Sequence, residues 1–299
     1  MTDLISFLDK EKIDYKEDIS LKTLTTYRTG GNVKLVIYPN SVEELKKILD
    51  IIKSNNISFK IFGNGSNILA SDKDYDGVII KLTKLNNLEI IGDLVHVEAG
   101  YHLAKLANYL CNEGISGLEF ACGIPGTIGG AVYMNAGAYL SDMSDIVVSI
   151  DVLDYNGNII TLKNEDLGFS YRKSNLSDNE FICLSVILKT EKKDRLEIID
   201  LIDDRKMRRV ESQPLEYPSA GSVFRNPDGM YAGKLIEELG LKGFDYGGAT
   251  ISEKHANFII NQKNATSSDI KFLMDLAHEK VFDTYNVDLH REQELFNWE

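Results

Sequence analysis

Two glycine-rich segments in the first half of the chain most restrict how it can fold. The apolar run at 57–62 predicts a buried strand that leads directly into Gly63-Asn64-Gly65-Ser66-Asn67, and a second segment, GIPGTIGG followed by NAG, spans 123–137. Glycine lacks a side chain and adopts positive φ, so such backbone can approach a ligand closely and bind an anion through successive amides. Neither segment fits GxGxxG or GxxxxGKS/T, which argues against Rossmann and P-loop folds. Each segment alone is also consistent with a plain tight turn.

Hydrophobic periodicity along the chain predicts an α+β fold with mixed sheets. The first helix is expected at 42–53 with a Ser41–Glu44 capping box, and Asn156-Gly157 predicts a β-hairpin. A charged break at 191–194 predicts two domains, 1–193 and 194–299. Further helices are predicted at 102–113, 194–210, 232–239 and 268–284, and further strands at 78–82, 94–98, 181–188, 257–261 and 287–296.

Composition narrows the classes of partner. The 299 residues are 43% hydrophobic and carry a formal net charge of −13, which indicates a globular chain and argues against nucleic acid as its partner. The N-terminal segment lacks a signal-peptide pattern, and no apolar run approaches the ~20 residues that span a bilayer, so we expect a cytoplasmic protein without a membrane or obligate protein partner. Cys111, Cys122 and Cys183 form no CxxC pair, and the histidines lack metal-binding spacing. We therefore expect reduced thiols and no metal site.

The segment QPLEYPSAGSVFRNP at 213–227 is the least ordinary in the chain, because it combines small residues, two aromatics and Arg225 between prolines. Taken by itself, Ser222 is equally consistent with a turn or helix-cap hydroxyl. Arg172 and Glu292, taken by themselves, are consistent with exposed surface charges.

Read together, these segments resemble the UDP-N-acetylenolpyruvoylglucosamine reductase (MurB) family of flavoenzymes. Several independent motifs occur in family order between about residue 24 and residue 292, which makes the resemblance specific. The uninterrupted second half is most similar to the shorter, second type of the family. The matching motifs are YRTGG, GNGSN, GIPGTIGGAVYMNAGAY, SYRKS, QPLEYPSAGSVFRNP, AGKLIEELGLKG and GGATISEKHANFIIN.

The resemblance implies an FAD-binding domain of the vanillyl-alcohol-oxidase (PCMH) type, built from two α+β subdomains. A smaller α+β substrate-binding domain would follow, with Glu292 on its C-terminal strand. FAD would be bound non-covalently, and NADPH would be the co-substrate. The residues implied in cofactor binding are Arg28, Gly63, Asn64, Gly65, Ser66, Asn67, Pro125, Thr127, Gly129, Gly130, Asn135, Ala136 and Gly137.

The implied reaction reduces the enolpyruvyl group of UDP-N-acetylglucosamine enolpyruvate to UDP-N-acetylmuramate, a precursor of peptidoglycan. NADPH would reduce the flavin, and flavin N5 would then deliver hydride to C3 of the enolpyruvyl group. By resemblance, Ser222 gives a proton to C2, Arg172 binds the carboxylate on which charge develops, and a neutral Glu292 adds a hydrogen bond. Weaker expectations for the substrate or NADPH concern Tyr171, Arg225, Lys234 and His255. Arg225 and Lys234 are also consistent with surface charges, and His255 with a core histidine.

Two positions depart from the family pattern. Leu140 stands where glycine is usual, which predicts a different shape for the loop after the second glycine-rich segment. Gln293 stands where an apolar residue is common, and if the alignment slips there, Glu294 takes the place of Glu292.

Two other functions stay open. One is an oxidase on the same flavin domain, with FAD tethered through His102 or Cys122. The other is a catalytically inactive nucleotide-sugar-binding module, against which the joint presence of Arg172, Ser222 and Glu292 argues.

Overall fold

The computed structural model describes residues 1–177 and 181–299. The chain divides into two compact units. The first unit comprises Met1–Glu17, Leu35–Asn64 and Gly77–Met207, and the second comprises Asp18–Lys34, Gly65–Asp76 and Arg208–Glu299. The second unit therefore takes in two early segments besides the C-terminal part, while the domain division at 193–194 stays a prediction. No helix in the described ranges combines the length and apolar character needed to cross a membrane.

Helices and strands both occur throughout the described part of the chain, and the sheets contain parallel as well as antiparallel pairs, in agreement with the predicted α+β class with mixed sheets. In the N-terminal part they are α1 (Thr2–Glu11), β1 (Asp14–Ser20), β2 (Asn32–Tyr38), α2 (Val42–Ser54), β3 (Phe59–Phe62), β4 (Ile68–Ala70), β5 (Tyr75–Lys81), β6 (Leu88–Ile91), β7 (Leu94–Glu98), α3 (Leu103–Asn112), β8 (Ile115–Ser116), α4 (Ile128–Tyr133), β9 (Gly137–Ala138) and β10 (Ser141–Asp142). They continue with β11 (Val147–Leu153), β12 (Ile159–Lys163), β13 (Ile182–Lys189), β14 (Glu191–Lys192), α5 (Arg195–Ser212), α6 (Ala232–Glu238), β15 (Asp245–Tyr246), β16 (Ala249–Ile251), β17 (Ile259–Asn261), α7 (Ser267–Tyr285) and β18 (Glu294–Phe296).

Two details at the N-terminus correct the sequence-based predictions. Helix α1 precedes the helix that was expected to be first, and it buries Leu4 and Leu8, which lie one helical turn apart. The Ser41 hydroxyl accepts from the Glu44 amide at 3.1 Å, as predicted. However, the Glu44 carboxylate accepts from the Asn40 amide at 2.7 Å instead of that of Ser41, so the reciprocal capping box does not form.

The largest sheet has five antiparallel strands in the order β12-β11-β13-β7-β6. Strands β11 and β12 form the hairpin predicted from Asn156-Gly157, with Leu153 paired to Ile159. Helix α4 packs against β13 and β7, so the second glycine-rich segment leads onto this sheet. A four-stranded sheet has the order β1-β2-β5-β3, in which β3 and β5 run parallel. Since β3 ends at Phe62, the first glycine-rich segment begins at its carboxyl end.

The second unit is built around α7 and a three-stranded antiparallel sheet in the order β15-β16-β17. Helix α7 buries Ile270, Leu273, Met274, Ala277 and Val281, whose three- and four-residue spacing forms one face of the helix. Strand β18 pairs in parallel with β4, with Leu295 opposite Leu69. The C-terminal strand is shorter than the predicted 287–296, because residues 290–292 pair instead with the segment at 223–225.

Candidate active site

Within the first unit, the start of the first glycine-rich segment lies against the second. The Asn64 side-chain amide donates to the Pro125 carbonyl at 2.7 Å. A Cβ atom at Gly63 would lie 2.7 Å from Thr127 Oγ1, and that hydroxyl caps α4 by accepting from the Gly130 amide at 3.3 Å. The absence of a side chain at Gly63 therefore lets these two predicted cofactor segments meet.

Packing within the chain requires glycine at some positions of these segments but not at all of them. A Cβ at Gly129 would lie 2.9 Å from that of Ala99, and one at Gly137 would clash with Asp142. Gly65, in the second unit, has φ of 66° and faces the Leu24 carbonyl too closely for any side chain. Packing within the chain therefore accounts for these three. At Gly130, by contrast, a Cβ would meet Thr127 Oγ1 at an ordinary 3.4 Å, so internal packing does not require a glycine there.

The cofactor candidates that lie in the second unit are Arg28, Gly65, Ser66 and Asn67. The Thr26 amide donates to the Gly65 carbonyl at 3.2 Å, and Arg28 adopts a left-handed φ of 57°. The Asn67 side chain donates to the Glu292 carbonyl at 3.0 Å, and the Asn67 carbonyl accepts from the Glu294 amide at 2.9 Å. Asn67 therefore holds the C-terminal segment that carries Glu292.

Asn135 positions the SYRKS segment of the first unit. Its buried side chain donates to the Ser170 carbonyl at 3.0 Å and accepts from the Ser144 amide at 3.0 Å. The Ser174 hydroxyl adds a bond to the Tyr133 carbonyl at 2.8 Å. The Asn135 side chain thus connects the second glycine-rich segment to the turn that contains Arg172, and its predicted role toward the cofactor stays a prediction.

Arg172 occupies a tight turn with a left-handed φ of 58°. The turn is closed by two backbone hydrogen bonds between Ser170 and Lys173, at 3.0 and 3.1 Å. A side chain in this conformation costs about 1–3 kcal/mol, and such strain is concentrated at functional sites. The guanidinium carbon lies 5.2 Å from the Tyr171 ring centroid, within the range of a cation–π contact. The turn therefore fixes the direction in which the arginine leaves the backbone.

In the second unit, the backbone that follows Ser222 is hydrogen-bonded to the backbone around Glu292. The Glu292 amide donates to the Val223 carbonyl at 2.8 Å, and the Arg225 amide donates to the His290 carbonyl at 2.9 Å. Phe224 forms an antiparallel bridge with Arg291 between these two bonds. Of the three predicted catalytic residues, Glu292 thus lies on backbone that pairs with the residues following Ser222 in the second unit, while Arg172 belongs to the first unit.

Asn257 was not singled out from the sequence, although it supports the Ser222 loop. Its buried side chain accepts from the Phe224 amide at 3.0 Å and donates to the Phe224 carbonyl at 2.8 Å. Its own carbonyl accepts from the Val223 amide at 2.9 Å. The available signal was its position in the HAN motif, directly before an apolar strand.

The surroundings of His255 and Lys234 agree with the alternatives to substrate binding, a core histidine and a surface charge. His255 Nδ1 accepts from the Asn257 amide at 3.2 Å, and burial lowers the pKa of the imidazole, so the ring is a neutral acceptor there. The Lys234 side chain is 72% exposed and lies 3.8 Å from Glu238, one helical turn away. Substrate contacts by Tyr171, Arg225, Lys234 and His255 stay predictions.

The loop that contains Leu140 is a two-residue turn between β9 and β10. Its central residues, Tyr139 and Leu140, have φ of 56° and 64°, values that a type I′ turn requires and that glycine and asparagine favour. The Tyr139 hydroxyl donates to the Arg205 carbonyl at 2.7 Å, whereas the Leu140 side chain is fully exposed. In the part of the chain that the structure describes, no cluster of three or more His, Cys, Asp or Glu side chains is arranged to hold a metal ion.

Similarity to known proteins covers nearly the whole chain. Residues 33–163 match the FAD binding domain family, and residues 213–296 match the family described as the C-terminal domain of UDP-N-acetylenolpyruvoylglucosamine reductase. The UDP-N-acetylenolpyruvoylglucosamine reductase of Caldicellulosiruptor bescii is 43% identical over 96% of this chain and 92% of its own length. That of Clostridium novyi is 44% identical over 97% of this chain and 94% of its own.

Solved structures agree with this relationship. The crystal structure of UDP-N-acetylenolpyruvylglucosamine reductase (MurB) from Thermus caldophilus is 33% identical and has a TM-score of 0.82 over 95% of this chain and 98% of that chain. A glucose oxidase variant of Phl p 4, 14% identical with a TM-score of 0.51 over 64% of this chain and 44% of that chain, is similar in fold alone. The predicted combination of an FAD-binding domain with a second α+β domain is confirmed. The chain belongs to the UDP-N-acetylenolpyruvoylglucosamine reductase family.

Proposed function

We propose that this FAD-dependent oxidoreductase uses NADPH to reduce the enolpyruvyl group of UDP-N-acetylglucosamine enolpyruvate, giving UDP-N-acetylmuramate for peptidoglycan synthesis. The observation that carries the proposal is the backbone pairing of the Ser222 loop with the segment that bears Glu292, in a chain of this family. A hydroxyl and a carboxyl are thereby held on neighbouring backbone, which supports their acting on the same bound substrate.

The residues of the glycine-rich segments fit a dinucleotide cofactor. Asn64 and Pro125 connect the two segments of the first unit, and the Cβ position of Gly130 is free of any backbone contact within 4 Å outside its own helix. Backbone amides without side chains suit a pyrophosphate, because each N–H is a donor and nothing obstructs the approach. When bound, FAD would supply two-electron chemistry, the transfer of a hydride from NADPH to C3 of the enolpyruvyl group.

Ser222 completes the reduction by proton transfer. As the new C3–H bond forms, the electron pair of the C2–C3 double bond moves onto C2 and the adjacent carboxylate. The Ser222 O–H bond then breaks, its proton forms the C2–H bond, and water restores the proton to the serine. Although a hydroxyl is a weak acid, the carbanion is a strong base, so a positioned serine is an adequate donor.

Arg172 and Glu292 act on the charge that develops during this step. A guanidinium presents a planar fork that matches a carboxylate, and fixed donors of this kind stabilise charge that grows in the transition state. The left-handed turn at Arg172 supports this role, because it restricts the orientation of the side chain. A protonated Glu292 would donate one further hydrogen bond to the same group.

The decisive experiment separates the two half-reactions in a stopped-flow spectrometer without oxygen. We expect Ser222→Ala to retain flavin reduction by NADPH but to reoxidise with UDP-N-acetylglucosamine enolpyruvate about 10²–10⁴-fold more slowly, the range typical for loss of an acid catalyst. Ser219→Ala, in the same loop, is the matched control and should reoxidise normally. Unchanged reoxidation in Ser222→Ala would remove the serine from the proton transfer.

The same protein distinguishes the two other functions. Denaturation should release the flavin into solution, whereas a covalently tethered oxidase would keep it on the chain. An inactive binding module would consume no NADPH when the enolpyruvyl substrate is added.

A further inference from the structure

A buried amide connects the core of the second unit to the loop that carries Ser222. Gln293 is 3% exposed, and its side-chain oxygen accepts from the Tyr27 hydroxyl at 3.0 Å. Tyr27 is itself fully buried, and burial raises the pKa of its hydroxyl, so at neutral pH it is a proton donor. The Tyr27 carbonyl accepts from the Asn261 side chain at 2.9 Å, which anchors this tyrosine from its other end.

The other half of the Gln293 amide holds the serine loop. Its nitrogen donates to the Ala220 carbonyl at 3.1 Å and to the Gly221 carbonyl at 3.0 Å. Both amide protons and the oxygen are thus used, and the two carbonyls flank the glycine that precedes Ser222. An apolar side chain at this position would form none of these bonds.

Gly221 explains why this loop needs support. It has φ of 77°, and a Cβ there would meet no atom within 4 Å, so no packing contact at that position restrains the glycine. A glycine has the greatest backbone freedom of any residue, and the peptide plane that follows it contains the Ser222 amide. By holding the carbonyls on both sides of the glycine, Gln293 restricts the rotation that would turn Ser222 away.

We propose that Gln293 is a positioning residue, which acts through the Ala220 and Gly221 carbonyls to hold Ser222 where it donates its proton. The inference rests on the proposed function of Ser222. Gln293 follows Glu292 directly, and the Glu292 amide is bound to the Val223 carbonyl. One short segment of chain therefore supports the serine loop from both sides of Ser222. Because misplacement by about 1 Å can slow catalysis by about 10²-fold, a loosened loop affects chemistry more than folding.

The test uses the FAD-containing protein with its flavin reduced by dithionite, so that only reoxidation by UDP-N-acetylglucosamine enolpyruvate is followed. We expect Gln293→Leu to slow reoxidation at least tenfold and to increase its solvent isotope effect, because proton transfer becomes limiting. Hydrogen–deuterium exchange should become faster at the amides of Val223 and Phe224. Tyr27→Phe is the matched control, since it leaves both bonds from Gln293 to the loop. It should lower the melting temperature while reoxidation stays within twofold of the parent rate.

The double variant Tyr27→Phe with Gln293→Leu removes the tyrosine hydroxyl that Gln293→Leu leaves without a partner. We expect it to recover melting temperature without recovering the rate, and it also serves if the single leucine variant does not fold. If both leucine variants reoxidise within twofold of the parent rate while Ser222→Ala reoxidises slowly, the positioning role of Gln293 is overturned. The proposed role of Ser222 then stands. Normal reoxidation in Ser222→Ala overturns the proposed proton donor, and the inference with it.

Discussion

Replacing Leu140 by glycine should stabilise the protein, because the backbone at this position has a conformation that disfavours leucine. Leu140 has φ of 64° in the β9–β10 turn, and the left-handed conformation costs an L residue about 1–2 kcal/mol. Its relative exposure of 106% means that truncation removes no packing contact. Glycine loses about 0.5–1 kcal/mol more conformational entropy on folding. The difference predicts a net gain of about 0.5–1 kcal/mol for Leu140→Gly.

Urea denaturation measures this gain as a higher midpoint with an unchanged slope. Leu140→Ala keeps the Cβ atom and therefore the backbone strain, so it should show no gain. Gly92 provides the converse control, because it has φ of 64° in the β6–β7 turn and a Cβ there would meet nothing within 4 Å. Gly92→Ala should therefore lose about 0.5–1 kcal/mol, because the backbone strain exceeds the conformational entropy that alanine saves. If Leu140→Ala gains as much as Leu140→Gly, the exposed side chain and not the backbone is the source, and the reasoning is refuted.

Three further predictions concern named contacts. Burial acts to raise the pKa of Asp72, but hydrogen bonds from Ser267 and Ser268 outweigh it and leave the pKa below 3.8. Asp72→Ala should thus cost about 1–2 kcal/mol at neutral pH, and urea titrations should show the difference shrinking as the pH falls through the lowered pKa. Gly63→Ala would place a Cβ 2.7 Å from Thr127 Oγ1, so purified protein should contain less flavin per chain. Full flavin content would contradict the proposed binding of FAD where the two glycine-rich segments meet. Arg172→Lys keeps the positive charge but loses the planar pair of guanidinium N–H donors, so stopped-flow reoxidation should slow by about 10²-fold. A rate equal to that of the parent would exclude bidentate binding of the carboxylate.

Elements with long periodic patterns were predictable from sequence, and elements that depend on distant partners were not. The spacing of Leu45, Ile48 and Ile52 predicts α2, and these residues are buried on one face. The same reasoning overextended β18, because the extended conformation of residues 290–292 serves backbone pairing with the serine loop and not a regular sheet. An alternation of residue types identifies extended chain but not the partner that it pairs with.

For the same reason, local sequence signals could not predict which segments of the chain form the second unit. Strand β4 has three residues, and its parallel partner β18 lies near the opposite end of the chain. Helix α7 likewise depends on Asp72, whose carboxylate accepts from the amides of Ser267 and Ser268 at 2.8 and 2.9 Å. Hydrogen bonds of this kind satisfy the free amides of a helix N-terminus, but nothing near Asp72 in sequence indicates them.

The support of the serine loop shows what family motifs identify and what they omit. Motifs predict Ser222 and Glu292 as site residues by residue type, whereas the side chains that hold the loop are buried amides that carry no acid–base chemistry. Buried backbone groups need hydrogen-bond partners, and a loop that bends at a left-handed glycine cannot obtain them all from a neighbouring strand. Asparagine and glutamine carry a donor and an acceptor side by side, so Asn257 and Gln293 replace the missing strand at Phe224 and at the two carbonyls before Ser222. A buried side-chain amide that bonds to loop carbonyls is therefore a sign of a loop that lacks backbone partners, and Gln293 could be recognised by that sign once its neighbours in space were known.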